Sequence, residues 1–214
     1  MIHRLPLVFL LALTACVIES GSGNTPLLPG QAGGAQRTPT SAPVRSPRGG
    51  PVLAIGDSLL VGAVEHGTLG LKLTEDQWEP EVVAETGRST RWAIDEVRKR
   101  DKVPRYIVLV LGSNPGFSSA GFSDEVQALR DALVARGARR IVWIPPHHTD
   151  PNRYAEKDAI LHEADRKDLR LVVPDWGTIL EQNPEYTGGD GLHLTDAGYE
   201  ALATYIRDTL GTLS

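Results

Sequence analysis

The distribution of apolar and polar residues changes near residue 50. From there onward, short apolar runs alternate with longer stretches that are typical of amphipathic helices. The predicted strands are residues 52–55, 81–84, 106–111, 140–144 and 170–173. The predicted helices are residues 58–67, 90–100, 124–136, 153–167 and 195–210. This alternation predicts one α/β domain over residues 51–214, built as three layers, α/β/α, around a five-stranded parallel sheet.

The N-terminus has the composition of an export signal. Arg4 precedes an apolar run over residues 5–13 that is too short to cross a bilayer. The run ends in Leu13-Thr14-Ala15-Cys16, which resembles the lipobox of bacterial lipoproteins. The resemblance implies that residues 1–15 are a signal peptide and that Cys16 is lipidated after cleavage. The alternative is an ordinary secretory signal with an incidental cysteine.

Residues 16–50 are predicted to be the lipid-anchored Cys16 followed by a disordered tether over residues 17–50. Gly, Ser, Thr, Pro, Gln and Ala dominate this segment, and no amphipathic period is visible. As a flexible coil it would reach about 30 Å. We therefore expect an exported domain that is held at the bacterial cell envelope, periplasmic or surface-facing, through lipid on Cys16. Because Cys16 is the single cysteine, an internal disulfide is excluded.

Candidate chemistry begins at the first predicted strand, which runs directly into Gly56-Asp57-Ser58. This places the hydroxyl of Ser58 at the carboxyl end of a buried strand, where open α/β sheets carry their active sites. A serine needs an imidazole to take its proton and a third group to orient that imidazole. Asp190 and His193 lie three residues apart, close enough to contact each other. They are the candidate partners of Ser58.

Two further residues are candidates for an oxyanion hole, which stabilises negative charge on a carbonyl oxygen. Gly87 follows the second predicted strand, and a glycine allows its N–H to approach a substrate closely. Asn114 follows the third strand, in Gly112-Ser113-Asn114-Pro115, where its side-chain amide could donate from a tight turn.

Together, these four blocks resemble the SGNH, or GDSL, hydrolase superfamily over residues 51–214. The resemblance implies a flavodoxin-like fold, with Ser58 as nucleophile and Asp190 and His193 completing the triad. It also implies an oxyanion hole made of the N–H groups of Ser58 and Gly87 and the amide of Asn114. Many members carry an aspartate after the asparagine, whereas this chain has Pro115. This variant makes the assignment to a subfamily less definite. Within the resemblance, it favours the branch of enzymes that act on O-acetyl groups of cell-wall glycans.

Each block also has a non-catalytic interpretation. Gly-Asp-Ser occurs by chance in strand-to-helix turns, with Asp57 or Ser58 capping the helix. The segment around His193 also has the less favoured interpretation of a turn before the last helix, with the histidine simply packed. The joint occurrence of four blocks in one order, each near a strand end or helix start, favours the catalytic interpretation.

Four residues near the predicted site are candidates for substrate contact: Asp57, Arg88, Trp92 and His147. For Trp92 the alternative is core packing, and for Arg88 it is a solvated surface. His147 and His148 together with Asp150 could bind a metal, but no second ligand cluster supports them, so we predict a polar rim loop and no metal site.

Charge and the remaining motifs exclude other classes of protein. The net charge of −5 and the lack of a basic stripe argue against nucleic acid as a partner. No phosphate-binding glycine loop follows a strand, and we expect no cofactor. In the absence of an association signal, a monomer is the default.

The sequence thus predicts a serine esterase that removes small acyl groups, O-acetyl above all, from envelope or extracellular carbohydrate. The loops between the blocks are short and contain no apolar lid for a long acyl chain. Lipase, thioesterase and arylesterase activities stay open, as does an O-acyltransferase that uses the same triad. A lipid-anchored glycan-binding protein with a silent site is the alternative from another class.

Overall fold

The computed structural model of the chain describes residues 49–114 and 119–213. The predicted signal peptide, Cys16, almost the whole tether and Pro115 lie outside these residues, so the corresponding predictions stay predictions. The described helices are α1 Ser58–Glu65, α2 Leu69–Glu75, α3 Thr90–Arg98, α4 Ser119–Ala135, α5 Ala155–Lys167, α6 Trp176–Gln182 and α7 Asp196–Leu213, with a 3₁₀ turn at Pro184–Tyr186.

Five parallel strands form one sheet in the order β2-β1-β3-β4-β5. The strands are β1 Gly50–Gly56, β2 Trp78–Ala84, β3 Tyr106–Val110, β4 Arg140–Ile144 and β5 Leu171–Val172. In register, Gly56 lies between Ala84 of β2 and Val110 of β3. Because parallel strands end at the same edge, the turns after β1, β2 and β3 are neighbours. The predicted five-stranded parallel α/β fold is confirmed.

Alternating side chains of β1 divide the core into two layers. Val52 and Ala54 pack with α1, α2, α6 and α7, whereas Leu53 and Ile55 pack with α3, α4 and α5 on the other face. A strand that is buried on both faces is continuously apolar, which is why β1 was recognisable in the sequence. Within the part of the chain that the structure describes, no helix is both long and apolar enough to cross a membrane.

Four elements differ clearly from the sequence prediction. Helices α2 and α6 were not predicted, because each has only seven residues and two buried side chains to mark a period. Strand β2 begins at Trp78, earlier than predicted, and includes Pro80. A proline is tolerated there because β2 is an edge strand. Helix α4 begins at Ser119 instead of residue 124.

Candidate active site

The turn between β1 and α1 places Ser58 at the carboxyl edge of the sheet. Strand β1 ends at Gly56, and Ser58 is already the first residue of α1. Asp57 between them has extended backbone angles, accepts a hydrogen bond from the Leu59 N–H at 3.1 Å, and thereby caps the helix. As an N-terminal helix residue, Ser58 has an N–H with no acceptor in a preceding helical turn. This N–H and the positive end of the helix dipole both favour negative charge beside the hydroxyl.

The structure brings the three proposed triad residues into one hydrogen-bonded row. The Ser58 Oγ lies 2.9 Å from the Nε2 of His193, and the Nδ1 of His193 lies 2.6 Å from the Oδ2 of Asp190. These distances let Nε2 accept the serine proton while Nδ1–H donates to the carboxylate. Ser58 and His193 are 135 residues apart in sequence, so this contact is made only by the fold.

Asp190 is held by its own turn as well as by the imidazole. Its Oδ1 accepts hydrogen bonds from the main-chain N–H groups of Leu192 and His193, at 3.0 and 2.9 Å. The hydrogen bond from His193 contributes most to lowering the pKa of the Asp190 carboxyl well below its usual range, and the two main-chain donors add to it. The carboxylate is therefore ionised at neutral pH, as required of a group that orients an imidazole.

The two remaining oxyanion candidates lie in the turns after β2 and β3, on either side of Ser58. Gly87 is solvent-exposed with a φ of +79°, and a Cβ at this position would meet no atom within 4 Å. The Asn114 amide donates to the carbonyl of Arg88 at 3.0 Å, which joins the two turns. The same nitrogen lies 3.3 Å from the Oδ2 of Asp57 and 3.2 Å from the Oγ of Ser113.

Comparison with known protein sequences gives one distant relative. No protein-family profile matches the chain. A Bacillus subtilis protein described as the putative peptidoglycan O-acetyltransferase YrhL is 24% identical over 160 residues, which cover 72% of this chain. The match spans only 23% of that relative, so the chain corresponds to a part of it.

Solved structures match over most of the chain. The C-terminal catalytic domain of Streptococcus pneumoniae peptidoglycan O-acetyltransferase A aligns with a TM-score of 0.63 and 21% identity, covering 77% of this chain and 94% of that domain. A protein from Slackia heliotrinireducens, described as a putative SGNH hydrolase, aligns with a TM-score of 0.61 and 18% identity, covering 76% and 99%. The chain has the SGNH-hydrolase fold. The acetylxylan esterase Axe2 of Geobacillus stearothermophilus shares it, with a TM-score of 0.59, 14% identity and coverage of 78% and 97%.

Within this SGNH fold, Asp57 does not lie where a substrate could reach it. The side chain is fully buried, and its Oδ2 accepts a hydrogen bond of 2.6 Å from the Ser113 hydroxyl. Burial raises the pKa of the Asp57 carboxyl, while the hydrogen bonds from Ser113, Leu59 and Asn114 act in the opposite direction. The expectation of substrate contact is therefore wrong for Asp57, because its oxygens already bind the turns on which the site is built.

Arg88 and Trp92 lie together beside Gly87. The guanidinium of Arg88 is 5.7 Å from the centre of the Trp92 ring and donates to the carboxylate of Glu85. Trp92 is half-buried and packs with the apolar layer under α3. Both side chains keep exposed surface at the edge of the site, so substrate contact stays a prediction for each.

Of the two neighbouring histidines, His148 lies against the triad turn. A Cβ added at Gly191, next to Asp190, would lie 2.9 Å from the His148 ring. The Nδ1 of His148 accepts a hydrogen bond of 2.8 Å from the Asp150 N–H. His147 instead faces Gly177 at the start of α6 and, with His148, borders a cavity of about 250 Å³. Among the described residues, no three His, Cys, Asp or Glu side chains are grouped as metal ligands.

Two functional candidates on α5 and just before it were missed by sequence reasoning. Tyr154 and Lys157 donate hydrogen bonds to the main-chain carbonyls of residues 112–114, directly behind the oxyanion candidate Asn114. A tyrosine and a lysine at an interval of three in a polar helix have no distinctive pattern. Only the packing of α5 against the turn after β3 gives them a role.

The three proposed triad residues lie near the protein surface. The side chains of His193 and Asp190 are 45% and 56% exposed, respectively. Four cavities of about 220 to 500 Å³ occur on the described surface, and none of these four is lined by Ser58 or His193. The partial exposure of the His193 and Asp190 side chains leaves this hydrogen-bonded row open to solvent on at least one side.

Proposed function

We propose that the chain is a serine ester hydrolase that removes small acyl groups, chiefly O-acetyl, from carbohydrate. The observation that carries this proposal is the row of hydrogen bonds from Ser58 Oγ through His193 to Asp190, with distances of 2.9 and 2.6 Å. A merely capping serine and a merely packed histidine would have no reason to meet in this geometry beside an ionised carboxylate.

The proposed reaction has two halves. As the Ser58 oxygen bonds to the ester carbonyl carbon, its proton moves to the Nε2 of His193. The tetrahedral intermediate collapses when the C–O bond to the alcohol breaks, and His193 returns the proton to the leaving oxygen. Water then attacks the acyl carbon and gives a proton to His193. The bond from that carbon to the Ser58 oxygen breaks as His193 returns the proton to Ser58, and the carboxylic acid leaves. Asp190 stabilises the imidazolium in both halves and keeps its own negative charge.

Oxyanion stabilisation is assigned to three donors: the N–H groups of Ser58 and Gly87 and the side-chain amide of Asn114. All three follow adjacent strand ends, and the exposed glycine leaves room beside its main chain for a carbonyl group. Asn114 has several acceptors within the protein, of which Asp57 is the most distant at 3.3 Å. Donation to a developing oxyanion would replace this weakest contact.

A small acyl group on a large polar molecule suits the shape of the site. Half-exposed triad side chains and the absence of Ser58 from the four cavities favour a substrate whose bulk stays outside the protein. Similarity to proteins named as an acetylxylan esterase and as peptidoglycan O-acetyltransferases supports acetylated glycans as the substrate class.

O-acetyl transfer is the second candidate function, because two of the similar proteins are named as peptidoglycan O-acetyltransferases. The chemistry differs in one step: a sugar hydroxyl replaces water in attacking the acyl-serine. An exposed His193 can deprotonate either nucleophile. Product analysis with an acetyl donor and a chitin-type oligosaccharide separates them, since transfer gives an acetylated sugar and hydrolysis gives acetate alone.

We further propose that the domain works at the cell envelope, attached through lipid on Cys16. The lipobox-like Leu13-Thr14-Ala15-Cys16 and the tether over residues 17–50 support this location. An acetylated envelope glycan as substrate agrees with such an attachment.

The proposal is tested with the full-length protein, nitrophenyl esters of increasing chain length and acetylated glycans. We expect acetyl esters to be cleaved faster than octanoyl esters, and Ser58→Ala to lower kcat by at least about 10³-fold with an unchanged melting temperature. Ser123→Ala, on α4, is the matched control and should keep wild-type rates. Wild-type turnover by Ser58→Ala would refute the nucleophile. A protein that binds acetylated glycans without cleaving or transferring acetyl would instead be the silent binding protein.

A further inference from the structure

The turn that carries Asn114 is held from behind by α5. Three consecutive main-chain carbonyls, those of Gly112, Ser113 and Asn114, accept hydrogen bonds from only two side chains. Lys157 donates to Gly112 at 2.5 Å and to Asn114 at 3.4 Å, and Tyr154 donates to Ser113 at 2.8 Å. Each of these bonds fixes one peptide plane of the turn, so the path of the main chain into Asn114 is determined by α5.

The opposite side of the same turn is held by Asp57. Its carboxylate accepts from the Ser113 hydroxyl at 2.6 Å and from the Asn114 amide at 3.3 Å. Asp57 also immediately precedes Ser58, so the turn lies between the residue that positions the nucleophile and the side chains of α5. A shift of the turn would move the Asn114 amide relative to Ser58.

The ammonium of Lys157 lies between aromatic rings in a partly buried position, whereas most lysines on a polar helix extend into solvent. The ammonium lies 5.2 Å from the centre of the Phe122 ring and 5.5 Å from that of Tyr154, and the side chain is half-buried. Burial lowers the pKa of the Lys157 ammonium, whereas the charges of Glu125 and Asp57 act to raise it. Desolvating an ammonium is costly, and here its hydrogen bonds go to carbonyls of the turn. The hydrogen bonds that compensate for this desolvation therefore run from Lys157 to the turn that carries Asn114.

We propose that Lys157 and Tyr154 are positioning residues for the oxyanion donor Asn114. Their hydrogen bonds set the place of the Asn114 amide, and the ammonium polarises the two peptide groups whose carbonyls it binds. The role rests on the proposed function, because it matters for catalysis only if Asn114 donates to the oxyanion.

A double-mutant cycle tests whether the two residues act through Asn114. Lys157→Met keeps an unbranched side chain that is only one atom shorter but removes the ammonium. We expect it to lower kcat on an acetyl ester by about tenfold with KM changed less than about twofold. In an Asn114→Ala background the same substitution should lower kcat by less than about twofold, because the donor that it positions is gone. Equal losses in both backgrounds would refute the proposal.

Two further variants supply a control for the lysine substitution and an independent test of the same turn. Lys167→Met removes an exposed lysine from the last turn of the same helix and should leave kcat unchanged. Tyr154→Phe removes one hydroxyl and should lower kcat by a few-fold, again only when Asn114 is present. If Lys157→Met does not fold, Tyr154→Phe carries the test alone.

A second measurement does not depend on activity. The side-chain NH₂ signal of Asn114 in a ¹⁵N-labelled protein should exchange slowly with water, because its hydrogens are bound by Arg88 and Asp57. Lys157→Met and Tyr154→Phe should speed this exchange several-fold. The NH₂ of Asn183, which donates to the Ile179 carbonyl at 2.8 Å on α6, is the internal control and should not change.

The two proposals fail separately. A wild-type protein that turns over no ester refutes the proposed function, while the exchange rates still report on the position of Asn114. Unchanged exchange at Asn114 in both variants refutes the positioning role, whatever the activity. Faster exchange at Asn114 and Asn183 alike would indicate general loosening and would also refute it.

Discussion

Replacing Gly191 with alanine should damage the triad turn without touching a triad side chain. Gly191 lies between Asp190 and Leu192 with a φ of +78°, in the left-handed region that side chains disfavour. An added Cβ would lie 2.3 Å from the Thr149 Oγ1 and 2.9 Å from the His148 ring. The Gly191 carbonyl also accepts a hydrogen bond of 2.9 Å from the Thr149 N–H, so the two segments cannot simply separate.

The magnitude follows from two contributions to the free energy of unfolding. The left-handed backbone costs an alanine about 1–2 kcal/mol. Overpacking against Thr149 and His148 adds about 1–3 kcal/mol. Together these lower the melting temperature by roughly 5–15 °C for a domain of this size. In the molecules that stay folded, a displacement of His193 by a fraction of an ångström should lower kcat by about 10- to 100-fold.

Thermal unfolding and steady-state kinetics on one preparation measure both effects. The matched control is Gly189→Ala in the same turn, because Gly189 has no positive φ and no atom within 4 Å of an added Cβ. Its melting temperature should change by less than about 2 °C. Adding Thr149→Ala to Gly191→Ala should recover about 1 kcal/mol by removing the shortest contact. A Gly191→Ala protein with the wild-type melting temperature would refute the reasoning.

Three further outcomes are expected. Asn114→Ala should lower kcat by about 10²- to 10³-fold with little change in KM, whereas a lower melting temperature with normal kcat would make the asparagine structural. Asp190→Asn should destabilise the protein, and this loss, measured by urea unfolding, should shrink as pH falls below about 4. The pKa of Asp190 is held below its ordinary value of 3.8, so its contribution is present above that value and disappears toward the lower pKa of the folded state; a constant loss down to pH 2 would contradict this. Cys16→Ser should abolish lipidation without changing ester turnover, and mass spectrometry showing an unmodified wild-type N-terminus would exclude the anchor.

The sequence by itself was sufficient for the architecture and for the identity of the site candidates. Strands that are buried on both faces, such as β1, are continuous apolar runs whatever surrounds them, so the number of strands could be predicted. Their alternation with helices predicted that the strands are parallel. Ser58, Gly87 and Asn114 could be named as site candidates because each follows a predicted strand, and because parallel strands bring those positions to one edge. The predicted acid and base, Asp190 and His193, were readable from their spacing.

Tertiary structure decided what each side chain touches. Asp57, adjacent to the nucleophile in sequence, turned out to be fully buried against Ser113, because the turn after β3 packs over it. Tyr154 and Lys157 carried no visible signal, since a hydrogen bond to a carbonyl about 40 residues away depends on how α5 packs and not on local pattern. The Asp190–His193 contact forms in an irregular turn instead of a helical one, and Gly191 permits it through its positive φ. Local patterns determine elements because the periods of helix and strand are local; contacts between distant elements follow only from packing.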